Sequence, residues 1–241
     1  MTYANAPIVE AVFDVKVSNT IIINPSTFEQ YSKTELKEYP ISNKLQNINV
    51  RIIGNSGGTG QIGKTTNLLG YIFSNIQGNR KVQFRLDGYS FNMLRPYSNW
   101  EDFSSTAFNH LQKYLALAKP LAITRIGLRY INRIDLPVEN QEFENFIKYL
   151  PPVPAALPKK FEKYFLQMQI PAGDGESKAV ISQTFEQEKN GRVPFIIDID
   201  VFQDERLKAN ESLVDRFNNL RLLKNRIFED LVTEDCKQFF K

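Results

Sequence analysis

Residues 123–137 alternate between two kinds of side chain. Successive side chains of a β-strand point to opposite faces, so this period of two predicts a strand with one buried face. The mostly apolar face would carry Thr124, Ile126, Leu128, Tyr130, Asn132 and Ile134. The other face would carry the arginines Arg125, Arg129 and Arg133. A row of guanidinium groups indicates either a solvated outer face or a polar groove that anionic groups must balance.

The same order of predicted elements occurs twice along the chain. Alternating patterns and turn residues predict four strands in residues 1–120 and four in residues 121–241, with helices in the order β-α-β-β-β-α in each half. The strands cover residues 9–17, 48–53, 68–74 and 81–94, and then 123–136, 161–170, 179–185 and 193–202. Corresponding elements lie roughly 113 residues apart. We therefore expect an α+β protein made of two pseudo-repeats in one compact unit.

Two arrangements of these antiparallel strands fit the pattern. They form either one curved sheet or an eight-stranded barrel, in both cases with the helices packed outside. In the strand at residues 81–94 the apolar positions change phase after Gly88, and a phase change at a glycine predicts a β-bulge.

Helices are predicted where apolar residues recur at helical spacing behind a capping residue. The first helix begins at Asn24 and Pro25, and the second runs from a cap at Ser98 or Asn99 to Pro120. A short helix is predicted at residues 143–150, and the last helix runs from about residue 211 to a new cap at Thr233. The only histidine, His110, falls on the polar side of the second helix, which predicts a surface histidine.

The composition excludes several classes of protein. A net charge of +3 lacks the basic excess by which many proteins bind nucleic acid or anionic membranes. The single cysteine, Cys236, excludes an intrachain disulfide and multi-cysteine zinc sites. No apolar run approaches the ~20 residues of a membrane span, and the N-terminus lacks the features of a signal peptide. We expect a cytoplasmic protein that does not bind membranes.

Residues 58–65 match the phosphate-binding motif G-x-x-x-x-G-K-[ST], with Gly58, Gly63, Lys64 and Thr65 at its defined positions. Residues 195–198 would then be the acidic strand that holds Mg²⁺. The motif binds phosphate only where a helix follows and its N-terminus faces the phosphates. The residues that follow are aromatic and β-branched, as in a strand. We therefore expect a glycine-rich hairpin loop, from which Lys64 would at most contact an anion.

Charged residues recur on one face of several predicted strands. The candidate ligand-binding residues are Glu10, Asp14, Lys16, Arg85, Arg125, Arg129, Arg133, Asp198 and Asp200. If the two halves close on each other as facing lobes, these charged faces meet, and acids and arginines across strands would satisfy one another as ion pairs. Alternatively, the arginines would bind the phosphates of a nucleotide or polyphosphate, with Mg²⁺ held by the carboxylates. No residues stand out as catalytic, and no cofactor or metal is expected under the first interpretation.

Two weaker patterns indicate alternative functions. Glu10-x-x-x-Asp14-x-Lys16 resembles the E-x-E-x-K strand of triphosphate tunnel enzymes, which are eight-stranded barrels that use Mg²⁺, although Val12 occupies the middle position. The duplicated unit of sheet and helix is similar to the saddle of TATA-binding proteins, which implies nucleic acid as a partner.

Five segments together resemble a sporadically distributed family of bacterial and archaeal proteins of about this length. They are residues 7–12 (PIVEAV), 91–101, 129–134 (RYINRI), 197–201 and 227–233. The resemblance implies no assigned activity, and the patchy distribution of the family implies mobile or defence-linked genes. The last helix of the family often carries a histidine near the position of Arg221 in this chain, which disfavours a histidine-based reaction here.

Taken together, these patterns favour a non-catalytic binding protein. We expect it to recognise a partner protein or an anionic ligand through a charged, concave sheet face, within a bacterial defence or mobile-element system. A homo-oligomer is compatible with this expectation.

Overall fold

Two alternating segments of the sequence form a central pair of antiparallel strands. In this computed structural model, β1 (Ile8–Ser18) pairs with β6 (Ala122–Pro137), so that Phe13 lies opposite Leu128 and Asp14 lies opposite Gly127. The apolar residues point to one side of the sheet and the polar residues to the other, as the period of two requires. The structure describes residues 3–18, 24–53, 61–137, 143–158, 161–208 and 212–241.

Ten strands and four α-helices lie in these described ranges. The other strands are β2 (Ile41–Ile53), β3 (Gln61–Ser74), β4 (Arg80–Arg85), β5 (Gly88–Leu94), β7 (Phe165–Pro171), β8 (Ser177–Phe185), β9 (Arg192–Gln203) and β10 (Leu207–Lys208). The helices are α1 (Ser26–Glu35), α2 (Trp100–Ala118), α3 (Val214–Leu231) and α4 (Glu234–Lys237), with 3₁₀ turns at Phe143–Asn145 and Gln238–Phe240. Within the described residues, no helix has the length and apolar character needed to cross a membrane.

All ten strands belong to one antiparallel sheet. Its order is β2-β3-β4-β5-β1-β6-β9-β8-β7, and β10 pairs with β6. The sheet ends at β2 on one side and at β7 on the other, so it is open and the barrel alternative is wrong. A small barrel buries the apolar faces of its strands against one another, whereas here helices cover the apolar face. The expected α+β class and large antiparallel sheet are confirmed.

The strands that precede α2 lie on one side of the β1–β6 pair, and those that follow α2 lie on the other. The six-element pseudo-repeat is not confirmed, because the halves differ in their elements. Residues 81–94 form the hairpin β4–β5, in which Arg85 pairs with Gly88, so the predicted β-bulge is wrong. A two-residue turn between two strands displaces the alternation of apolar residues by one position, as a bulge does. The sequence pattern therefore did not distinguish a turn from a bulge. The helix predicted at residues 143–150 is a single 3₁₀ turn.

Helices α1, α2 and α3 cover one face of the sheet and build an aromatic core with it. Phe13 of β1 stacks on Phe217 of α3 with ring centroids 3.7 Å apart. On α2, the side chain of Asn99 caps the helix by accepting from the Asp102 N–H at 2.8 Å, which confirms one of the two predicted caps. Each buried ring of this kind contributes roughly 2–3 kcal/mol. The helices are thus held on the apolar face alone.

His110 lies in this core, and its predicted surface position is wrong. It is 6% exposed on the inner face of α2, where the Tyr39 ring meets it edge-on with centroids 5.0 Å apart. Burial lowers the pKa of His110 to about 4, so the imidazole is neutral at physiological pH. Tyr39 comes from the segment after α1, so the residue pattern of α2 alone could not predict that His110 is buried.

Replacing Gly88 by alanine should destabilise the fold strongly. A Cβ atom at this position would lie 2.2 Å from the carbonyl oxygen of Val15 in β1, and a backbone oxygen in a central strand has little freedom to move. We expect a loss of at least about 2 kcal/mol in the free energy of unfolding, measured with urea. Gly173→Ala is the matched control, because nothing lies within 4 Å of a Cβ there. Equal stability of the two variants would contradict the steric explanation.

Candidate functional site

The predicted binding residues lie on the face of the sheet that the helices leave uncovered. We call this the open face and define it by Glu10, Asp14, Lys16, Arg85, Arg125, Arg129, Arg133, Asp198 and Asp200. These side chains come from β1, β4, β6 and β9, which are close in the sheet although distant in sequence. The structure therefore brings the whole predicted set to one surface.

Asp14 connects the two halves of the sheet through a chain of ion pairs. Its Oδ2 accepts from Arg85 Nη2 at 2.8 Å and its Oδ1 accepts from Arg125 Nη1 at 3.0 Å. Arg125 Nη2 donates in turn to Asp200 Oδ2 at 2.8 Å. The four side chains span β4, β1, β6 and β9 and are 16–26% exposed. Charge-assisted hydrogen bonds that are partly shielded from water in this way fix the side chains in place.

The local sequence shapes the surface on which Arg125 lies. A Cβ on Gly127 would stand 2.7 Å from Arg125 Nη1, so the guanidinium group rests directly over the glycine backbone. The same group lies 4.5 Å from the ring centroid of Phe202 on β9. The guanidinium group is therefore packed as well as paired. Burial raises the pKa of Asp200 from its ordinary value, and Arg125 opposes that shift.

Most of the remaining charges of the open face also have protein partners. Arg129 binds both carboxylate oxygens of Asp198, with Nε at 2.9 Å from Oδ1, and this pairing raises the pKa of Arg129. Arg133 donates to Asp135 and Glu186 at 3.1 Å each. Glu10 accepts from Asn92 at 2.8 Å, and Lys16 is exposed. These contacts match the ion-pair interpretation, with the pairs formed inside one sheet rather than between two facing lobes.

The phosphate-binding motif has the wrong local structure. Gly58 lies outside the described residues, but Gly63, Lys64 and Thr65 lie within β3 and pair with β2. β3 continues to Ser74, so no helix N-terminus follows Thr65 and the nucleotide-binding interpretation of this motif is wrong. Residues 195–198 lie in β9 of the antiparallel sheet. Among the described side chains, no group of three or more His, Cys, Asp or Glu is arranged to hold a metal ion.

A second site, which the sequence did not reveal, lies on the helix-covered side of the sheet. It is a cavity of about 150 Å³ between the N-terminal segment, the start of α2, the middle of α3 and β6. We call it the Lys224 pocket and define it by Tyr97, Trp100, Tyr130, Arg221, Lys224 and Phe228. The pocket combines aromatic walls with two cations, which is typical of sites that bind small molecules.

Lys224 is a buried cation that forms no ion pair with a carboxylate of the described residues. Its side chain points from α3 towards β6, where Nζ lies 3.9 Å from the ring centroid of Tyr130. Among the described residues, Nζ of Lys224 forms no hydrogen bond or ion pair. Burial, assisted by the nearby charge of Arg221, lowers the pKa of Lys224 to about 7. A buried charge of this kind is costly unless something in the pocket balances it.

The carboxylate nearest to Lys224 along α3 is held by other residues. Glu229 accepts from the Tyr3 hydroxyl at 2.7 Å and pairs with Lys237 at 2.9 Å. Arg221 instead lies against Trp100, with its guanidinium carbon 5.1 Å from the ring centroid. Both cations of the pocket therefore contact aromatic faces rather than acids.

Neutral polar groups complete the pocket. The hydroxyl oxygens of Tyr97 and Tyr130 lie 3.2 Å apart, and burial raises the pKa of both phenols, so both keep their protons at neutral pH. The first turn of α2, behind its cap Asn99, lines the rim. Phenol hydroxyls and helix N-termini both favour anionic groups.

A single signal in the sequence marks this site. The buried stripe of α3 contains Phe217, Leu220, Phe228 and Leu231, and Lys224 occupies the position between them. A lysine at an apolar position of an amphipathic helix is unusual. The tertiary partners on α2 and β6 were not visible in the sequence, and the predicted binding residues on β1, β6 and β9 lie on the opposite face.

Replacing Lys224 by methionine should stabilise the fold at neutral pH. The amine titrates near 10.5 when unfolded and near 7 when folded, so its burial opposes folding fully below pH 7 and ceases to do so above pH 10.5. This shift corresponds to a penalty of roughly 5 kcal/mol, which is an upper bound because water and side chains rearrange around a buried charge. We expect Lys224→Met to gain about 2–3 kcal/mol at pH 6.5 in urea unfolding, and to lose most of this gain by pH 10.

Lys16→Met is the control for this measurement, since it removes the same charge from an exposed position of the open face. It should change the free energy of unfolding by less than about 0.5 kcal/mol. A stability difference between Lys224→Met and the wild type that does not vary with pH would contradict the buried, uncompensated amine.

Comparison of the chain with protein-family models and with curated proteins finds no match. The resemblance to a sporadically distributed family therefore stays a prediction.

Proposed function

We propose that the protein binds a small organic anion in the Lys224 pocket. The observation that supports this most directly is the amine of Lys224, which is buried beside a cavity and forms no ion pair among the described residues. A protein that keeps such a group loses stability, and binding sites are where natural proteins accept that loss. An anionic group of a ligand would supply the missing partner.

The second cation of the pocket indicates what the anion is. Arg221 precedes Lys224 by three residues on α3, so the two side chains lie on the same side of the helix. A guanidinium group binds both oxygens of a carboxylate or phosphate at once. We infer that the ligand carries a carboxylate or a phosphate between these two groups.

The walls of the pocket indicate the rest of the ligand. Trp100, Tyr97 and Phe228 present aromatic surface to a cavity of about 150 Å³. This volume suits a metabolite-sized molecule rather than a polymer, and aromatic walls favour a planar or apolar body. An anion with an aromatic ring would use both features.

Under this proposal, the ion pairs of the open face support the fold. Asp14, Arg85, Arg125 and Asp200 satisfy one another, so a phosphate ligand would have to displace an existing carboxylate. The tunnel-enzyme alternative also requires a closed barrel, whereas this sheet is open. The proposal therefore keeps the expected anionic ligand and assigns it to the other side of the sheet.

Benzoate and phenyl phosphate should raise the melting temperature of the wild-type protein by about 5 °C near saturation. Acetate and inorganic phosphate should raise it less, because they lack the ring, and benzamide should leave it unchanged because it lacks the charge. Lys224→Met should abolish the shifts, each measured relative to the unliganded variant. Lys16→Met should retain them. Equal shifts in Lys224→Met and wild type, or no shift with either aromatic anion, would rule out the proposal.

Duplex and single-stranded oligonucleotides should not bind to the protein at low salt. Binding to the phosphate backbone requires lysines or arginines that are free to replace counterions, and the arginines of the open face already contact carboxylates. Fluorescence anisotropy of labelled oligonucleotides measures this directly. Tight binding that weakens steeply with added salt would instead support the nucleic-acid saddle.

A further inference from the structure

We propose that Lys224 forms a reversible imine with its ligand, and that the ligand is an aldehyde or α-keto acid that carries a carboxylate. This inference rests on the proposed function, because it takes the anion-binding pocket as the place of reaction. It adds a covalent bond between the protein and the ligand, and it narrows the ligand to carbonyl compounds.

The surroundings of the amine favour a nucleophile over a permanent charge. A lysine that serves only as a charge normally donates up to three hydrogen bonds, whereas Nζ of Lys224 meets the face of Tyr130 at 3.9 Å. The group is buried and lies near a second cation, Arg221. Desolvation and a neighbouring cation are the two conditions that activate lysine amines in proteins. Consistent with this, the pKa is lowered to about 7, so about half of the amine is neutral at neutral pH.

Arg221 can position a keto acid for this reaction. The carbonyl carbon of an α-keto acid is bonded directly to its carboxylate, so a carboxylate held by Arg221 brings the carbonyl group towards the neighbouring side chain on α3. That side chain is Lys224, three residues further on. With its carboxylate bound to Arg221, the keto acid holds its carbonyl group in an orientation in which the amine can attack it.

The chemistry needs no oxidant or reductant. The lone pair of Nζ attacks the carbonyl carbon, the C–N bond forms, and the carbonyl oxygen takes up the proton that nitrogen releases. The carbinolamine then takes up one further proton, its C–O bond breaks, and water leaves, so that a protonated imine remains. The paired hydroxyls of Tyr97 and Tyr130 lie in the same pocket and can pass that proton. The ring of Tyr130 stabilises the positive charge of the imine.

Several titratable groups surround the amine and contribute to its pH dependence. They are Arg221 and Glu229 of α3, Tyr130 of β6, Tyr97 before α2, Glu101 in the first turn of α2, and Tyr3 of the N-terminal segment. Glu229 is engaged by Tyr3 and Lys237, and the phenols of Tyr97 and Tyr130 keep their protons. The amine itself is thus the group that titrates near neutral pH.

Trapping with sodium cyanoborohydride tests the inference. The protein is incubated with pyruvate, glyoxylate or benzoylformate, and the reduced imine is located by peptide mass spectrometry. With at least one of these acids, Lys224 should be labelled at least tenfold faster than any other lysine. Its labelling should reach a plateau above about pH 7, whereas that of exposed Lys16 should keep rising. Lys224→Arg should abolish the selective label, and Arg221→Met should slow labelling at Lys224 at least tenfold.

The reduced analogues lactate and mandelate separate this inference from the proposed function, because they keep the carboxylate and lack the carbonyl group. They should slow the labelling of Lys224 by the keto acids and raise the melting temperature without any trapped product. If they raise the melting temperature through Lys224 while no keto acid or aldehyde labels it selectively, the imine is wrong and anion binding stands. If they produce neither effect and no selective label forms, both proposals fail.

Discussion

The pairing of β1 with β6 is the contact on which the rest of the molecule depends. It joins the strands that precede α2 to those that follow it, and it sets the register of both faces. On the helix side, Phe13 lies opposite Leu128 and anchors α3 through Phe217. On the open face, Asp14 lies opposite Gly127, which leaves room for Arg125. A slip of one residue would exchange these faces, so aromatic packing and ion pairing specify the same register.

Much of the sheet was predictable because alternation is a local property. The pattern of β6 identified a strand with an arginine face, and the acids of β1 and β9 indicated that ion pairs would form between strands, although not which strands are neighbours. Whether the sheet closes into a barrel, and where its strands are joined by turns, could not be predicted in the same way. Whether β2 meets β7 depends on where the helices lie, and a two-residue turn between Arg85 and Gly88 preserves the strand composition on both sides of it. An alternating pattern of apolar and polar residues thus predicts where strands lie more reliably than where they end.

The burial of side chains by segments that are distant in sequence was the hardest feature to predict. His110 and Lys224 are both titratable and both lie buried on helices, although the pattern of α2 predicted a surface position for His110. The cover of His110 comes from Tyr39, and that of Lys224 comes from Tyr130 on β6. Their surroundings differ in one respect that matters for function. His110 packs against aromatic rings, whereas Lys224 lines a cavity with a second cation, so burial alone does not identify a site.

Among the described residues, the charge of Lys224 remains unpaired because the carboxylate nearest to it along α3 binds other partners. On the open face, Asp14, Asp198 and Asp200 each bind an arginine, so those charges are balanced within the protein. On the helix side, Glu229 lies near enough to Lys224 to influence its pKa, yet its oxygens are occupied by Tyr3 and Lys237. The N-terminal segment that carries Tyr3 is itself fixed, because the Asn5 N–H donates to the carbonyl of Phe240. The two ends of the described chain therefore engage both carboxylate oxygens of Glu229, and Lys224 forms no ion pair among the described residues.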